Sequence, residues 1–317
     1  MAETGTVEVV ESGADKLSPI KLSHEIIAFL ENCSIEATPH ERDRVEKFPT
    51  FLDAGSTVYV AHPPKVTIGE VVDMAKCLMQ AGYLPVPHIV ARKIEDRGQL
   101  DTTLGKLADA GIDRLLVVAG DPAEPAGEFS DSLAILRTGL VTHHGFHQVA
   151  IAGHPEGNRA VGPTALRQAL LDKCTFAVQS KLDMYIVTQF GFDPDLVIAW
   201  ERRTATDNVS LPVRVGMAGR APFRQLIRYA MRCGVGTSLK TVIGMTSAMT
   251  HLAHLPGPDE LVTTFARYRA ANSASRLVGA HLFAFGGLEP SARWLNAVQA
   301  GRFTLNEEST GFNLWPE

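Results

Sequence analysis

The stretch Leu115-Leu116-Val117-Val118-Ala119-Gly120-Asp121-Pro122 decides the architecture. Four aliphatic residues without alternation read as a strand buried on both faces, the mark of a parallel sheet covered by helices. Gly-Asp-Pro then turns the chain and delivers a carboxylate at the strand's end. The same grammar recurs at Cys33-Ser34-Ile35-Glu36-Ala37-Thr38-Pro39 and at Tyr185-Ile186-Val187-Thr188-Gln189-Phe190. Three apolar runs that each end on polar groups imply one shared mouth.

Working outward, further strands are expected at 57–61, 84–90, 148–153, 184–190, 212–216 and 281–285. Helical periods fill the gaps: 24–31 with Ser23 as cap, a solvated helix at 40–47, then 67–81, a helix around 100–108, 130–144 and 164–181. Others start at Asp193-Pro194-Asp195 and span 223–233 and 291–299, with a helical but poorly ordered period across 239–271. Eight strands alternating with helices predict a (β/α)8 TIM barrel forming a single domain over 19–317, preceded by a flexible arm at 1–18. An open doubly wound sheet is the alternative, because a sequence does not display closure.

With 317 residues, 45% hydrophobic and 21% charged, the chain has ordinary globular composition and length for one barrel. A formal charge of -5 without clustered Lys and Arg excludes phosphate-tracking nucleic-acid binders. Cys33, Cys77, Cys174 and Cys233 are scattered, without C-x-x-C or zinc spacing, and read as reduced thiols; no metal site is expected. There is no apolar leader-like segment and no run of membrane-spanning length, so a cytoplasmic protein with a small-molecule partner is expected. A homo-oligomer is compatible with all of this.

The strand ends present Glu36, Tyr59 to His62, His88, Asp121, His154, Gln189 and the loop 216–222. No Ser/His/Asp order, Walker loop or H-E-x-x-H occurs, so triad or zinc hydrolysis has no support. Glu36 sits between Ile35 and Ala37, where partial burial would raise its pKa into the range of a general acid; pairing with a basic neighbour is the competing reading. Asp121 is either a reactive carboxylate or an Asx-turn cap. Gln189 offers a donor and an acceptor suited to an amide-like heterocycle, although a Gln there also serves structure. His88 follows Pro87 in an apolar strand, which also suits a core histidine.

Taken in order, Ser34-Ile35-Glu36, Pro87-His88, Gly120-Asp121-Pro122, Gly153-His154-Pro155-Glu156-Gly157, Thr188-Gln189-Phe190 with Phe192-Asp193, and Phe223-Arg224-Gln225-Leu226 resemble the 5,10-methylenetetrahydrofolate reductase family over roughly residues 20–290. The resemblance implies a TIM barrel of folate one-carbon metabolism that interconverts 5,10-methylenetetrahydrofolate and 5-methyltetrahydrofolate with NAD(P)H, through FAD. It implies Glu36 as general acid and Asp121 facing pterin and flavin. It also implies Gln189 and Phe223 on the folate, and Tyr59, His88, Gly120, His154 and Asn158 on the cofactor. A folate-binding barrel without redox chemistry is the alternative in another class.

The chain departs from the family on the flavin side. Ala119 stands where Arg is usual before Gly-Asp, His154 where Tyr is usual, Asn158 where His is usual, and Thr175-Phe176-Ala177-Val178 where a basic segment is usual. Loss of charge-assisted phosphate contacts implies weak or absent FAD unless Arg92 or Arg159 substitutes.

Overall fold

Strand ends and helix caps set the chain path in the computed structural model, which describes residues 17–233 and 258–316; the side chains of Phe223, Arg224, Arg232 and Cys233 lie outside that description. In chain order the elements are α1 (Pro19–Leu30), β1 (Ser34–Ala37), a 3-10 helix (Pro39–Thr50), β2 (Thr57–Val60), α2 (Ile68–Gln80), β3 (Leu84–Val90), α3 (Arg97–Ala108) and β4 (Arg114–Val118). They continue as α4 (Ser132–Arg137), α5 (Leu140–His143), β5 (Gln148–Gly153), α6 (Pro163–Ser180), β6 (Asp183–Thr188), α7 (Pro194–Thr206), β7 (Val213–Ala218) and α8 (Phe223–Cys233). Last come α9 (Pro258–Ala271), β8 (Leu277–Phe283), α10 (Leu288–Gln299) and a hairpin of β9 (Phe303–Leu305) and β10 (Phe312–Leu314). Strands β1 to β8 pair in parallel and in order, and β8 returns to β1 through Ser34 opposite His281, closing the barrel. The TIM barrel is thus the fold, and the open sheet is excluded.

Several boundaries differ from expectation for physical reasons. The first helix begins at Pro19, not at 24, because Ser18 caps it, and Ser23 instead bonds back to the Pro19 carbonyl. The period read over 130–144 breaks into two short helices at Gly139, whose φ of 75° is left-handed. The charged segment at 40–47 is a 3-10 helix that buries Val45 and Phe48, so it is not wholly solvated. Strand β8 starts at Leu277, four residues before 281, and the β9–β10 hairpin was not anticipated. Of the helical period over 239–271, residues 239–257 lie outside the described part and 258–271 is helix; the expected arm lies outside it except for Leu17 and Ser18. Thr67, read as the first residue of a helix, is its cap, in a reciprocal box with Glu70.

Two cores follow from the period of 2. Residues such as Ile35, Val58, Ile89, Val117, Ile151 and Ile186 face outward and pack under the helices. The alternate set, Tyr59, Val86, Leu116, Ala150, Tyr185 and Val187, forms a separate cluster inside the barrel. Strands β2 and β6 are on opposite sides of the cylinder, so the hydrogen bond between the Tyr59 and Tyr185 hydroxyls, 2.5 Å long, crosses the lumen. Arg214 stacks over Tyr185 at 5.4 Å from below, and His281 packs on Tyr59 with centroids 4.4 Å apart. The lumen is filled, which leaves the C-terminal mouth for chemistry. Among the described residues no helix is long and apolar enough to cross a membrane.

Candidate functional site

Strand β1 places Glu36 on the lumen side, in register with Tyr59, at the mouth end of the barrel. Its side chain is 13% exposed, and burial, reinforced by Glu41 nearby, pushes its pKa up to about 8. Glu41 is itself held in a capping arrangement with Thr38, its Oε2 accepting the Thr38 backbone N–H at 2.7 Å. Across β2, His88 on β3 brings Nε2 to 3.8 Å from Glu36 Oε2, while its ring meets Tyr59 edge-on at 6.0 Å. Burial drives His88 down to about 3, and the adjacent His62 adds to this. Glu36 is therefore a protonated acid near neutrality beside an uncharged imidazole. Behind them His62 donates Nε2–H to the Val66 carbonyl, and Lys93 donates to the carbonyls of His62 and Pro63.

The β4 and β5 ends form the next quadrant. Gly120 has φ +96°, and a Cβ there would lie 2.3 Å from Val90 Cγ1, so the turn that presents Asp121 admits only glycine. Gly120→Ala is expected to destabilise the protein by about 1–3 kcal/mol or more through strain and overlap. A drop in the urea midpoint checks it; an unchanged midpoint would mean the turn relaxes freely. Asp121 itself is exposed at this rim and has no hydrogen bond or ion pair among the described residues. Neither the cap nor the Asx turn considered for it is formed.

Arg92 does not serve as a free cation. It donates to the carbonyls of Pro122, Ala123 and Ser130, pinning the loop that follows Asp121. His154, after β5, is lowered to about 4 by burial and by Lys173. Lys173 lies on α6, where the sequence reading stopped at the apolar 175–178 segment and missed it; burial lowers its pKa, with Asp131 opposing. Asn158 is an exposed turn residue whose Oδ1 accepts the Ala160 N–H at 2.8 Å, and Arg159 is exposed beside it. Tyr59, expected among the cofactor contacts, is instead fully buried with its hydroxyl on Tyr185, so it has no surface to offer a cofactor.

The third quadrant is aromatic, and sequence reading missed it. Gln189 follows β6, its N–H on the Gly153 carbonyl. Next to it Phe190, Phe192 and Phe285 are buried in an aromatic cluster with the half-buried Phe283 and Tyr229: Phe190 and Phe285 lie 4.7 Å apart, and Tyr229 stacks on Phe285 at 4.6 Å. Phe285 has φ 45°, a left-handed value that costs a bulky residue energy and marks a constrained position. The signal in the sequence is the alternation Phe283-Ala284-Phe285 at the end of the eighth strand. Phe223 opens α8 after β7, but its side chain lies outside the description.

No family model matches the chain. Among solved structures, a provisionally assigned phosphonomutase from Burkholderia cenocepacia is similar, with 10% identity, TM-score 0.44, and 88% of this chain and 99% of that chain covered. Dihydropteroate synthase from Thermus thermophilus gives 13% identity and TM-score 0.43, over 84% of this chain and 92% of that chain. These likenesses are too distant to bear on the reaction.

Proposed function

We propose that the protein is an oxidoreductase of the methylenetetrahydrofolate reductase type, reducing a folate-bound methylene group with hydride from a nicotinamide. The observation that carries this reading is the buried Glu36, protonated near neutral pH at the mouth of a closed barrel. Opening of the imidazolidine ring breaks the bond from N10 to the methylene carbon and needs a proton at N10, which Glu36 supplies. The carbon becomes an iminium on N5, and hydride from the nicotinamide converts it to the N5-methyl group while the nicotinamide is oxidised. Of the aromatic cluster, the half-buried Phe283 and Tyr229 are the rings with surface left for a flat bicyclic ligand, and Gln189 close to Phe283 suits that ligand's amide edge.

The residues fit FAD poorly. A diphosphate needs convergent cations, yet Ala119 carries none, Arg92 is committed to three carbonyls, and Arg159 is a single exposed guanidinium beside Asn158. Lys173 is one ammonium weakened by burial. Direct transfer from nicotinamide to folate is therefore our reading, and protein purified without added cofactor is expected to lack flavin absorption bands. A yellow preparation with about one FAD per chain, against the cation argument, would overturn it.

Incubation with NADH and methylenetetrahydrofolate, with and without FAD, tests the function. Methyltetrahydrofolate formed without FAD is expected. Folate binding with no turnover in either arm would instead favour a delivery or regulatory protein.

A further inference from the structure

Two buried ring nitrogens lack partners in the described part of the protein: His88 Nε2 and His62 Nδ1. A buried polar atom left without a hydrogen bond costs on the order of 1–3 kcal/mol, so a pair of them on neighbouring strand ends calls for a cause. The geometry supplies one for His88. Its Nε2 faces Glu36 Oε2 at 3.8 Å, both side chains are only 12–13% exposed, and the Tyr59 ring packed against His88 limits its swing. The gap is too narrow for a bridging water, and closing it by less than about 1 Å brings the pair into hydrogen-bond range.

We propose that His88 is a positioning residue for Glu36: its neutral ring donates Nε2–H to Oε2, turning the other carboxyl oxygen, with its proton, toward the mouth. When that proton leaves, the carboxylate that remains is already held by the same donor. The inference rests on Glu36 being the acid of the proposed reaction, but not on which substrate receives the proton. His88 suits the task because it stays uncharged. A cation there would ionise Glu36 and remove the acid, whereas an N–H dipole stabilises the product form without doing so.

The charged surroundings agree. Glu36 is faced by Glu41 from the segment after β1 and by His88 from β3. His88 is faced by His62 from the segment after β2, with Lys93 behind it, and lies near His281 on β8, itself close to Arg214. His62 fixes its own tautomer by donating Nε2–H to Val66, which leaves Nδ1 as an acceptor.

The test uses the resting full-length protein, so it is independent of turnover. In pH-difference infrared spectra, the carbonyl band of protonated Glu36 is identified as the one missing from Glu36→Gln, and its titration midpoint is followed. His88→Leu removes a donor to the carboxylate, so the midpoint is expected to rise by about one pH unit or more. His88→Gln keeps an amide donor and should bring it back toward the parent value. Equal shifts in both variants, no shift, or a lower midpoint in His88→Leu would overturn the proposal. Nitrogen-15 NMR of the parent protein needs no variant: the His88 proton is expected on Nε2, and finding it on Nδ1 would overturn the proposal as well. Should the infrared and NMR results hold while folate reduction is absent, the fault lies in the substrate assignment and not in the pair.

Discussion

Glu36→Gln is expected to lower folate reduction by about 100- to 10,000-fold while leaving folate binding nearly intact, because a general acid acts in the transition state. Glutamine keeps the shape and a hydrogen-bonding head but has no proton to give N10. The pH profile carries the same information. A carboxyl group with its pKa raised to about 8 holds its proton below that value, so activity is fully present at lower pH and falls as pH rises through about 8. Steady-state rates from pH 6 to 10 would check both, and parental turnover by a folded Glu36→Gln protein would remove Glu36 from the mechanism.

Away from the mouth, the largest expected loss of stability is at Glu201. This carboxylate on α7 is 2% exposed and accepts the Arg276 backbone N–H at 2.9 Å and the Tyr268 hydroxyl at 2.8 Å. The Arg276 guanidinium lies alongside with Nε at 3.4 Å, and also donates to the carbonyls of Glu201 and Val209 and to the Thr204 hydroxyl. The cluster ties α7, α9 and the approach to β8. Glu201→Leu leaves a buried cation without its counter-charge, which costs on the order of 3–5 kcal/mol. A lowered denaturant midpoint measures it. Glu201→Leu combined with Arg276→Leu should recover part of the loss, since the orphaned charge is then gone; a double variant worse than the sum of the singles would contradict this account.

The fold was largely legible because β strands buried on both faces announce themselves as unbroken aliphatic runs, of which Leu115 to Val118 is the clearest. Their ends also announced Glu36, and the structure does place it at the mouth end with raised basicity. The remainder depends on contacts distant in sequence. That Tyr59 is occupied by Tyr185, 126 residues away, follows from closure of the barrel and from no local pattern. That Arg92 is committed to carbonyls at 122, 123 and 130 depends on a loop's path. Lys173 reaches the His154 side of the site from one turn before Phe176 and Ala177 on α6, a placement set by how that helix packs and not by the 175–178 segment itself. Ser18 displaced Ser23 as a cap because two plausible caps five residues apart differ only in which one precedes Pro19.

The tyrosine hydroxyls joined across the lumen have a kinetic corollary. They make the barrel a cup with a floor, so every reactant enters and leaves over one rim. If hydride passes directly, nicotinamide and folate must be present together, and whichever lies deeper has to arrive first and depart last. Initial-rate patterns should then intersect, and excess of the outer reactant should trap the inner product, whereas a relay through a resident carrier would give parallel lines.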